Sequence, residues 1–290
     1  MKQTRSSSDD VDIKEYMHLL PDGEGQVHVN HVDCPAGLDK KRRLYIRRKS
    51  DGSVVYFCHH CGASGRYVTN KFSGKKAGAS LAATLRGTGN IQPRLPADFS
   101  VDEREWPAKA RAWLYKYQLS SADIKRGKIG YSESLGRLIL PQYDSNGLKM
   151  YQSRIVYEDK DTLPKYMTYG SVNDTVALYE RDISTRGDTI VLVEDVVSAL
   201  RCSKYYDTIA LLGAHMHDSH VKSILTHKYK SGIVYLDMDN PHIKSQALTM
   251  KRKLDMILDQ VRVIHAEKDP KECGSKELES ILTAVVLDTI

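Results

Sequence analysis

The chain lacks the long apolar runs and the cysteine pattern that mark membrane and secreted proteins. Its 290 residues include no apolar run of about 18 residues, the length that a membrane-spanning helix needs. The first residues, MKQTRSSSDDVD, are polar and contain no apolar core of a signal peptide. Five cysteines are an odd number and do not indicate a disulfide framework. We therefore expect a protein of the reducing cytoplasm that has no membrane partner.

Acidic residues are absent from the stretch between Gly52 and Ala97, although the chain contains 37 of them in total. Immediately upstream, the segment from Lys40 to Lys49, KKRRLYIRRK, contains seven basic residues and no acidic one. The formal net charge of the whole chain is only +6, so the distribution of the charge is more informative than its total. A locally basic N-terminal third favours a polyanionic partner such as nucleic acid; the alternative is an ordinary solvated surface.

Composition divides the chain into four segments. Residues 13–72 contain a Cys/His cluster and residues 73–100 are rich in Gly, Ala, Ser and Thr, which predicts a zinc-binding domain followed by a flexible linker. Helical and strand-like stretches mix in residues 101–187, which we expect to form an α+β subdomain. In residues 188–290, apolar strand-like runs such as TIVLVE alternate with helical stretches, which predicts a parallel sheet covered on both faces. The predicted fold class is therefore α/β with a small β module.

The Cys/His cluster has the spacing of a zinc site. His31-x-x-Cys34 is followed by Cys58-x-x-Cys61, and each short spacer lets both side chains of a pair reach one ion. Four protein ligands leave no open position, so we expect one structural zinc ion in a zinc ribbon. His28 is an alternative to His31 as the fourth ligand, and a redox-active Cys-x-x-Cys is the alternative to zinc.

The segment between the two ligand pairs, LYIRRKSDGSVVYF, is typical of two strands joined by a turn. It combines basic residues with Tyr45, Tyr56 and Phe57. Aromatic rings and cationic side chains together hold single-stranded nucleic acid through base stacking and phosphate contacts. We expect the zinc ion to present this hairpin to single-stranded DNA; the alternative is that these rings form the core of a small domain.

Acidic residues follow three of the predicted strands. They are Glu194 after TIVLV, Asp237 and Asp239 at the end of GIVYLDMD, and Asp269 after VRVIHAEK. Residues at i and i+2 of a strand point to the same side, so Asp237 and Asp239 can converge on one ion. Oxygen ligands favour Mg²⁺ or Mn²⁺, the ions that serve phosphoryl transfer. The alternative is that each acid caps the helix that follows it.

The order of these acids resembles the Toprim domain of bacterial-type primases, type IA and type II topoisomerases and some nucleases. Glu194 and the later Asp237-Met238-Asp239 each end an apolar strand, and the resemblance covers about residues 188 to 272. The segment KDPKE, which contains Asp269, is similar to the part of the primase branch that supplies a further carboxylate at the metal. The resemblance implies that the predicted parallel-sheet domain at 188–290 is a Toprim domain.

Two upstream segments narrow the resemblance to primases of the bacterial and phage type. AWLYKYQLSSADIKRGKIGY, residues 112–131, resembles the opening of the polymerase domain in that family. The stretch that begins RLILPQYDSNG and ends LPKY, residues 137–166, resembles a family block whose basic residues handle nucleotide and primer phosphates. It implies such roles for Arg137, Arg154 and Lys165, and a catalytic role for Lys165.

The sequence also departs from the family pattern. Asp195 stands where Toprim motifs usually have glycine after the first glutamate, and Ser198 replaces a later aspartate. These departures leave two alternatives: an altered metal geometry near Glu194, or a contribution to the metal site from Asp195 itself. No G-x-x-x-x-G-K-[ST] motif of a helicase is present in the sequence, so we expect any helicase to be a separate protein.

The resemblance implies a DNA primase that makes short RNA primers on single-stranded DNA, in the cytosol of a bacterium or a phage-infected cell. Its implied cofactors are one structural Zn²⁺ and a pair of catalytic Mg²⁺ or Mn²⁺ ions held by Glu194, Asp237, Asp239 and Asp269. Its implied partners are template DNA, ribonucleoside triphosphates, a replicative helicase and a DNA polymerase. The alternatives are a Toprim nuclease and a catalytically inactive zinc-ribbon adaptor of a replisome.

Overall fold

The computed structural model describes the chain in seven stretches. They are residues 11–49, 52–67, 93–156, 164–181, 187–238, 241–266 and 268–287. Asp239 and residues 73–92, which form most of the predicted linker, lie outside the described residues. The chain divides into two compact units, and the segment boundaries expected from composition stay predictions. The first unit comprises Met1–Phe99, Ser132–Ile139 and Asn146–Ser171, and the second comprises Ser100–Tyr131, Leu140–Ser145 and Val172–Ile290.

The first unit is built on antiparallel strands. Its elements are a 3-10 helix at Ile13–Leu19 and the strands β1 (Gly25–Val29), β2 (Leu44–Arg48), β3 (Val54–Cys58), β4 (Ser64–Tyr67), β7 (Gly147–Ile155) and β8 (Tyr166–Gly170). Strands β5 (Gly130–Ser132) and β6 (Arg137–Asp144) have residues in both units. Within the first unit the strand order is β4-β3-β2-β1-β8-β7, and residues 137–139 of β6 follow β7. The hairpin predicted between the ligand pairs is confirmed as β2 and β3.

One face of this sheet is buried and the other carries polar and aromatic groups. Val27, Leu44, Ile46 and Val54 are fully buried, and the 3-10 helix adds Tyr16 to the same core. Successive residues of a strand point to opposite faces, so the alternate positions of β1, β2 and β3 lie on the outer face. The outer face of these three strands therefore carries half-buried and exposed side chains.

The second unit alternates strands and helices. Its helices are a short 3-10 turn (Glu103–Glu105), α1 (Ala108–Lys116), α2 (Ser121–Arg126), α3 (Val196–Cys202), α4 (Asp218–His227), α5 (Pro241–Leu254) and α6 (Ser275–Leu287). Its sheet contains β9 (Ala177–Tyr179), β10 (Thr189–Val193), β11 (Asp207–Ala210), β12 (Ser231–Val234) and β13 (Gln260–Val263). The strand order is β13-β12-β10-β11-β9, with four parallel strands and β9 antiparallel at the edge. The expected mixed α/β class is confirmed.

The sequence of β10 explains its central position. Ile190, Val191, Leu192 and Val193 are all fully buried, as expected for a parallel strand covered on both faces. Strand β12 pairs with β10 so that Leu192 lies opposite Val234. The carboxyl ends of β10 and β12 therefore lie side by side, which is where open α/β sheets bind their ligands. Among the residues that the structure describes, no helix is both long and apolar enough to cross a membrane.

Candidate functional site

The four predicted zinc ligands form one cluster in the first unit. His31 and Cys34 lie in the loop after β1, Cys58 ends β3, and Cys61 lies in the turn before β4. Their ligand atoms all lie within 4.8 Å of one another. Zn–S and Zn–N bonds of about 2.0 to 2.3 Å place tetrahedral ligand atoms roughly 3.3 to 3.8 Å apart, so small shifts complete the site. The cluster can hold a metal ion such as zinc.

The histidines around the cluster have separate positions. His28 lies on β1, where its ring contacts the ring of Tyr45 at a centroid distance of 3.8 Å, and it is not part of the ligand group. The choice of His31 over His28 therefore agrees with the structure. His60 Nδ1 lies 3.4 Å from Cys34 Sγ, which places a further imidazole beside the four ligands.

Asp39 organises the loop that carries His31, a role that no motif in the sequence indicates. Its buried carboxylate accepts hydrogen bonds from the backbone N–H groups of His31 at 3.2 Å, Lys41 at 2.9 Å and Arg43 at 2.9 Å. The Arg43 side chain adds an ion pair at 3.1 Å. Burial raises the pKa of Asp39, but these donors outweigh burial and the pKa is lowered overall. A charged Asp39 therefore fixes the backbone next to the metal ligands.

The outer face of the first sheet carries a row of rings, which we call the aromatic row: His28, Tyr45, Phe57 and His59. Their centroids are 3.8 Å apart for His28 and Tyr45, 4.5 Å for Tyr45 and His59, and 4.6 Å for Phe57 and His59. Tyr45 is 38% exposed and Phe57 is 42% exposed. Tyr56, which the sequence grouped with them, packs against the core instead. The row offers exposed ring surface on which bases can stack.

The basic residues implied by the primase resemblance lie close together in the first unit. Arg137 is buried on β6 and donates to the carbonyl oxygens of Ser153 at 3.4 Å and Pro164 at 2.7 Å. Arg154 on β7 places its guanidinium 4.8 Å from the centre of the Tyr166 ring. The Lys165 carbonyl accepts a hydrogen bond from the backbone of β7. Burial, and then the nearby charge of Arg154, lower the pKa of Arg137. The phosphate roles of Arg137, Arg154 and Lys165 stay predictions.

Acidic residues gather at the carboxyl edge of the second unit's sheet. Glu194 directly follows β10, and Asp237 follows β12 after two further residues. Burial raises the pKa of Glu194 to about 7, and the charges of Asp195, Asp269 and Asp237 act in the same direction. Lys271 opposes them but does not cancel them. We call Glu194, Asp195, Asp237 and Asp269 the carboxylate cluster. Among the residues that the structure describes, only the Cys/His group has its ligand atoms close enough together to hold a metal ion.

Asp195 and Asp269 are both paired with one lysine. The Lys271 ammonium lies 2.7 Å from Asp195 Oδ2 and also forms an ion pair with Asp269. Burial lowers the pKa of Lys271, but the two carboxylates outweigh burial and raise it overall. Asp195 additionally accepts from the Ser198 N–H at 2.9 Å and so caps α3. The residue that caps α3 is therefore Asp195, which is not one of the four acids of the helix-capping alternative. The predicted role of Asp269 as a metal ligand meets a competing cation.

Ser198 and Lys271 are the site residues that sequence reasoning did not assign. Ser198 was noted only as a replaced aspartate, and Lys271 only as a member of the KDPKE segment. Ser198 Oγ donates to Asp269 Oδ1 at 2.6 Å. Asp239 lies outside the described residues, so its convergence with Asp237 stays a prediction.

The two units differ in the chemical groups that they could use for binding or catalysis. The first carries a cluster that can hold zinc, beside the aromatic row and basic residues. The second carries carboxylates, one of which has a raised pKa, next to the half-buried ammonium of Lys271. No protein-family model matches the chain, and no curated protein matches its sequence.

Proposed function

We propose that this protein is a DNA primase of the bacterial and phage type, with a zinc-binding module and a Toprim-like parallel sheet. The single observation that carries the proposal is the position of Glu194 and Asp237. They follow neighbouring parallel strands at the same sheet edge, where nucleotide sites of α/β proteins form. Their electrostatic coupling to each other and to Asp269 supports a shared site.

The chemistry of these acids fits a divalent cation. A half-buried carboxylate whose pKa is raised to about 7 is destabilised in its charged form, and a cation beside it would remove that cost. Oxygen ligands of this kind suit Mg²⁺ or Mn²⁺. Bound Mg²⁺ would supply charge neutralisation and Lewis acidity for nucleotidyl transfer. Glu194 and Asp237 would hold it, and Asp239 would add a further carboxylate.

Features of the first unit support the proposed binding of single-stranded DNA. Tyr45 and Phe57 present ring surface on one sheet face. Arg47 lies two residues from Tyr45 on the same face, where it pairs with Glu24 at 2.8 Å. Rings and cations in this combination suit single-stranded DNA without requiring a particular sequence. The zinc-ligand cluster fixes the loops at the end of this sheet, which holds the aromatic row in place.

A direct assay tests the proposed activity. The zinc-loaded chain is incubated with Mg²⁺, labelled ribonucleoside triphosphates and single-stranded DNA, and short RNA products are expected. Asp237→Asn should abolish synthesis while zinc content and DNA affinity stay unchanged. Asp188→Asn is the matched control, because Asp188 is an exposed acid at the opposite end of β10, paired only with Lys230 among the contacts described. Synthesis that survives Asp237→Asn would overturn the site assignment.

The ion pairs of Lys271 favour a second candidate, a catalytically inactive zinc-ribbon adaptor that binds single-stranded DNA. A lysine already neutralises two acids of the cluster, as a structural charge network would. The same assay separates the candidates. RNA products support the primase, DNA fragments support a Toprim nuclease, and DNA binding without either product supports the adaptor.

A further inference from the structure

The turn between Cys58 and Cys61 places the ring of His60 beside a metal ligand of the other pair. The Gly62 N–H donates to the Cys58 carbonyl at 2.8 Å and closes this turn. His60 Nδ1 lies 3.4 Å from Cys34 Sγ, although 26 residues separate the two in the chain. His60 is half-buried and Cys34 is buried. The contact therefore joins the loop of the first ligand pair to the turn of the second.

His60 lies next to the metal ligands and is not one of them. The ligand atoms of His31, Cys34, Cys58 and Cys61 all lie within 4.8 Å of one another, and His60 is outside that group. A structural zinc site takes four protein ligands, so the group is complete without a fifth. Metal ligands usually form hydrogen bonds to further residues, which orient the ligand and adjust how strongly it binds the ion. His60 has the position of such a partner.

The chemistry of a metal-bound cysteine decides which of the two atoms carries the hydrogen. Cysteine binds zinc as a thiolate, which has no hydrogen to donate. The imidazole must therefore donate from Nδ1 if its contact with Cys34 is a hydrogen bond. Three thiolates outweigh the two charges of a divalent ion, so the loaded site carries a net negative charge. A hydrogen-bond donor to one of the sulfurs stabilises that charge.

We propose that His60 is a positioning residue of the metal site, whose Nδ1–H donates a hydrogen bond to the Cys34 thiolate and so strengthens metal binding. The hydrogen bond draws electron density from the sulfur and holds the Cys34 side chain towards the ion. It also connects the two ligand-bearing loops, which must meet for the ion to bind. The inference concerns the metal cluster alone and goes beyond the proposed function, so neither the presence nor the absence of primer synthesis bears on it.

The first test is the zinc affinity of the full chain, measured by competition with a chelator of known affinity. His60→Leu removes the donor and should weaken zinc binding by about 10- to 100-fold, the usual loss when a hydrogen-bond partner of a metal ligand is removed. His60→Asn should retain nearly the wild-type affinity, because its amide N–H can replace the Nδ1–H. His59→Leu is the matched control. It removes an exposed imidazole of the same turn that is outside the ligand group, and it should leave the affinity unchanged.

The absorption spectrum of the cobalt-substituted chain separates a hydrogen bond to the sulfur from a purely structural role of His60. Charge-transfer bands from thiolate to cobalt move to longer wavelength when the thiolate loses a hydrogen-bond donor. His60→Leu should show this shift, whereas His60→Asn and His59→Leu should not. A folded His60→Leu chain whose bands stay in place would overturn the inference, as would a wild-type zinc affinity in that variant or an equal loss of affinity in His59→Leu.

Nitrogen-15 NMR of the zinc-loaded wild-type chain decides the question if circular dichroism shows that His60→Leu does not fold. His60 Nδ1 should carry a hydrogen, as a donor to the Cys34 thiolate must. A nitrogen that binds the ion directly carries none, so an Nδ1 without a hydrogen would make His60 a metal ligand and reject the inference.

Discussion

The Ser198 hydroxyl donates a 2.6 Å hydrogen bond to Asp269 and so connects the first turn of α3 with the segment that follows β13. Both residues are buried, at 1% and 6% exposure. A buried hydrogen bond between a hydroxyl and a charged acceptor is stronger than one between neutral groups, because the acceptor has lost its water. This contact therefore stabilises the carboxylate edge of the sheet as well as shaping it.

Ser198→Ala should lower the free energy of unfolding by about 1–3 kcal/mol, since it leaves a buried carboxylate oxygen with one donor fewer. Denaturant unfolding followed by circular dichroism measures the change. Ser219→Ala is the control, because the Ser219 hydroxyl donates to the Asn173 carbonyl at an exposed position and its loss should cost within about 0.5 kcal/mol. Equal effects of the two substitutions would contradict the role of Ser198.

Cys58→Ser should abolish zinc binding and destabilise the first unit. Cys58 is fully buried, ends β3, and belongs both to the ligand cluster and to the core around Leu44. Zinc contributes about 10–16 kcal/mol to the folding of small domains that depend on it, so loss of a ligand should remove several kcal/mol. Zinc content is measured by inductively coupled plasma mass spectrometry, and stability is measured by thermal unfolding.

His59→Gln provides the comparison for Cys58→Ser. His59 is the next residue in the chain, exposed and outside the ligand group. It should retain one zinc per chain. A Cys58→Ser chain that keeps its zinc would contradict the assignment of Cys58 as a required ligand.

Glu194→Gln should stabilise the protein at alkaline pH when no divalent ion is added. The pKa of Glu194 is raised from 4.5 to about 7, so its contribution to stability is complete below about pH 4.5 and is lost as the pH rises through 7. Replacing the carboxylate by a neutral amide removes this loss of stability at high pH. We expect a gain of about 1–3 kcal/mol at pH 8 and almost none at pH 4, measured by denaturant unfolding at both values.

Added Mg²⁺ provides a second test of the role of Glu194. A bound cation favours the charged carboxylate, so it should stabilise the wild-type chain at pH 8 and have little effect on Glu194→Gln. Stabilisation of both chains by the same amount would place the ion elsewhere.

The parts of the fold that follow from local pattern were predictable from the sequence. The continuous apolar run of TIVLVE identified β10, and the alternation around Asp51-Gly52 identified β2 and β3. The ligand cluster was also predictable, because two pairs with short spacers can reach one ion wherever the loops lie. These features depend on a few neighbouring residues, which a sequence displays directly.

Contacts between distant residues could not be predicted in the same way. Nothing in the sequence pairs Lys271 with Asp195 or Asp39 with the His31 amide, because each contact depends on how loops return to the site. The pairing of β1 with β8 is of the same kind, since the strands are far apart in the chain. The sheet face on which Tyr56 lies depends on the strand register, because a shift of one residue moves every side chain of a strand to the opposite face.

The rings of the aromatic row are expected to contribute to the binding of single-stranded DNA. Tyr45→Ala and Phe57→Ala should each weaken binding of single-stranded DNA by about 1–3 kcal/mol, or roughly 5- to 160-fold, since each removes a ring on which a base stacks. Fluorescence anisotropy with a labelled oligonucleotide measures the affinity. Tyr115→Ala is the control, because Tyr115 is 45% exposed on α1 and its hydroxyl donates to Glu103. It should leave the affinity unchanged, whereas an equal loss in all three variants would show that the row has no special part in binding.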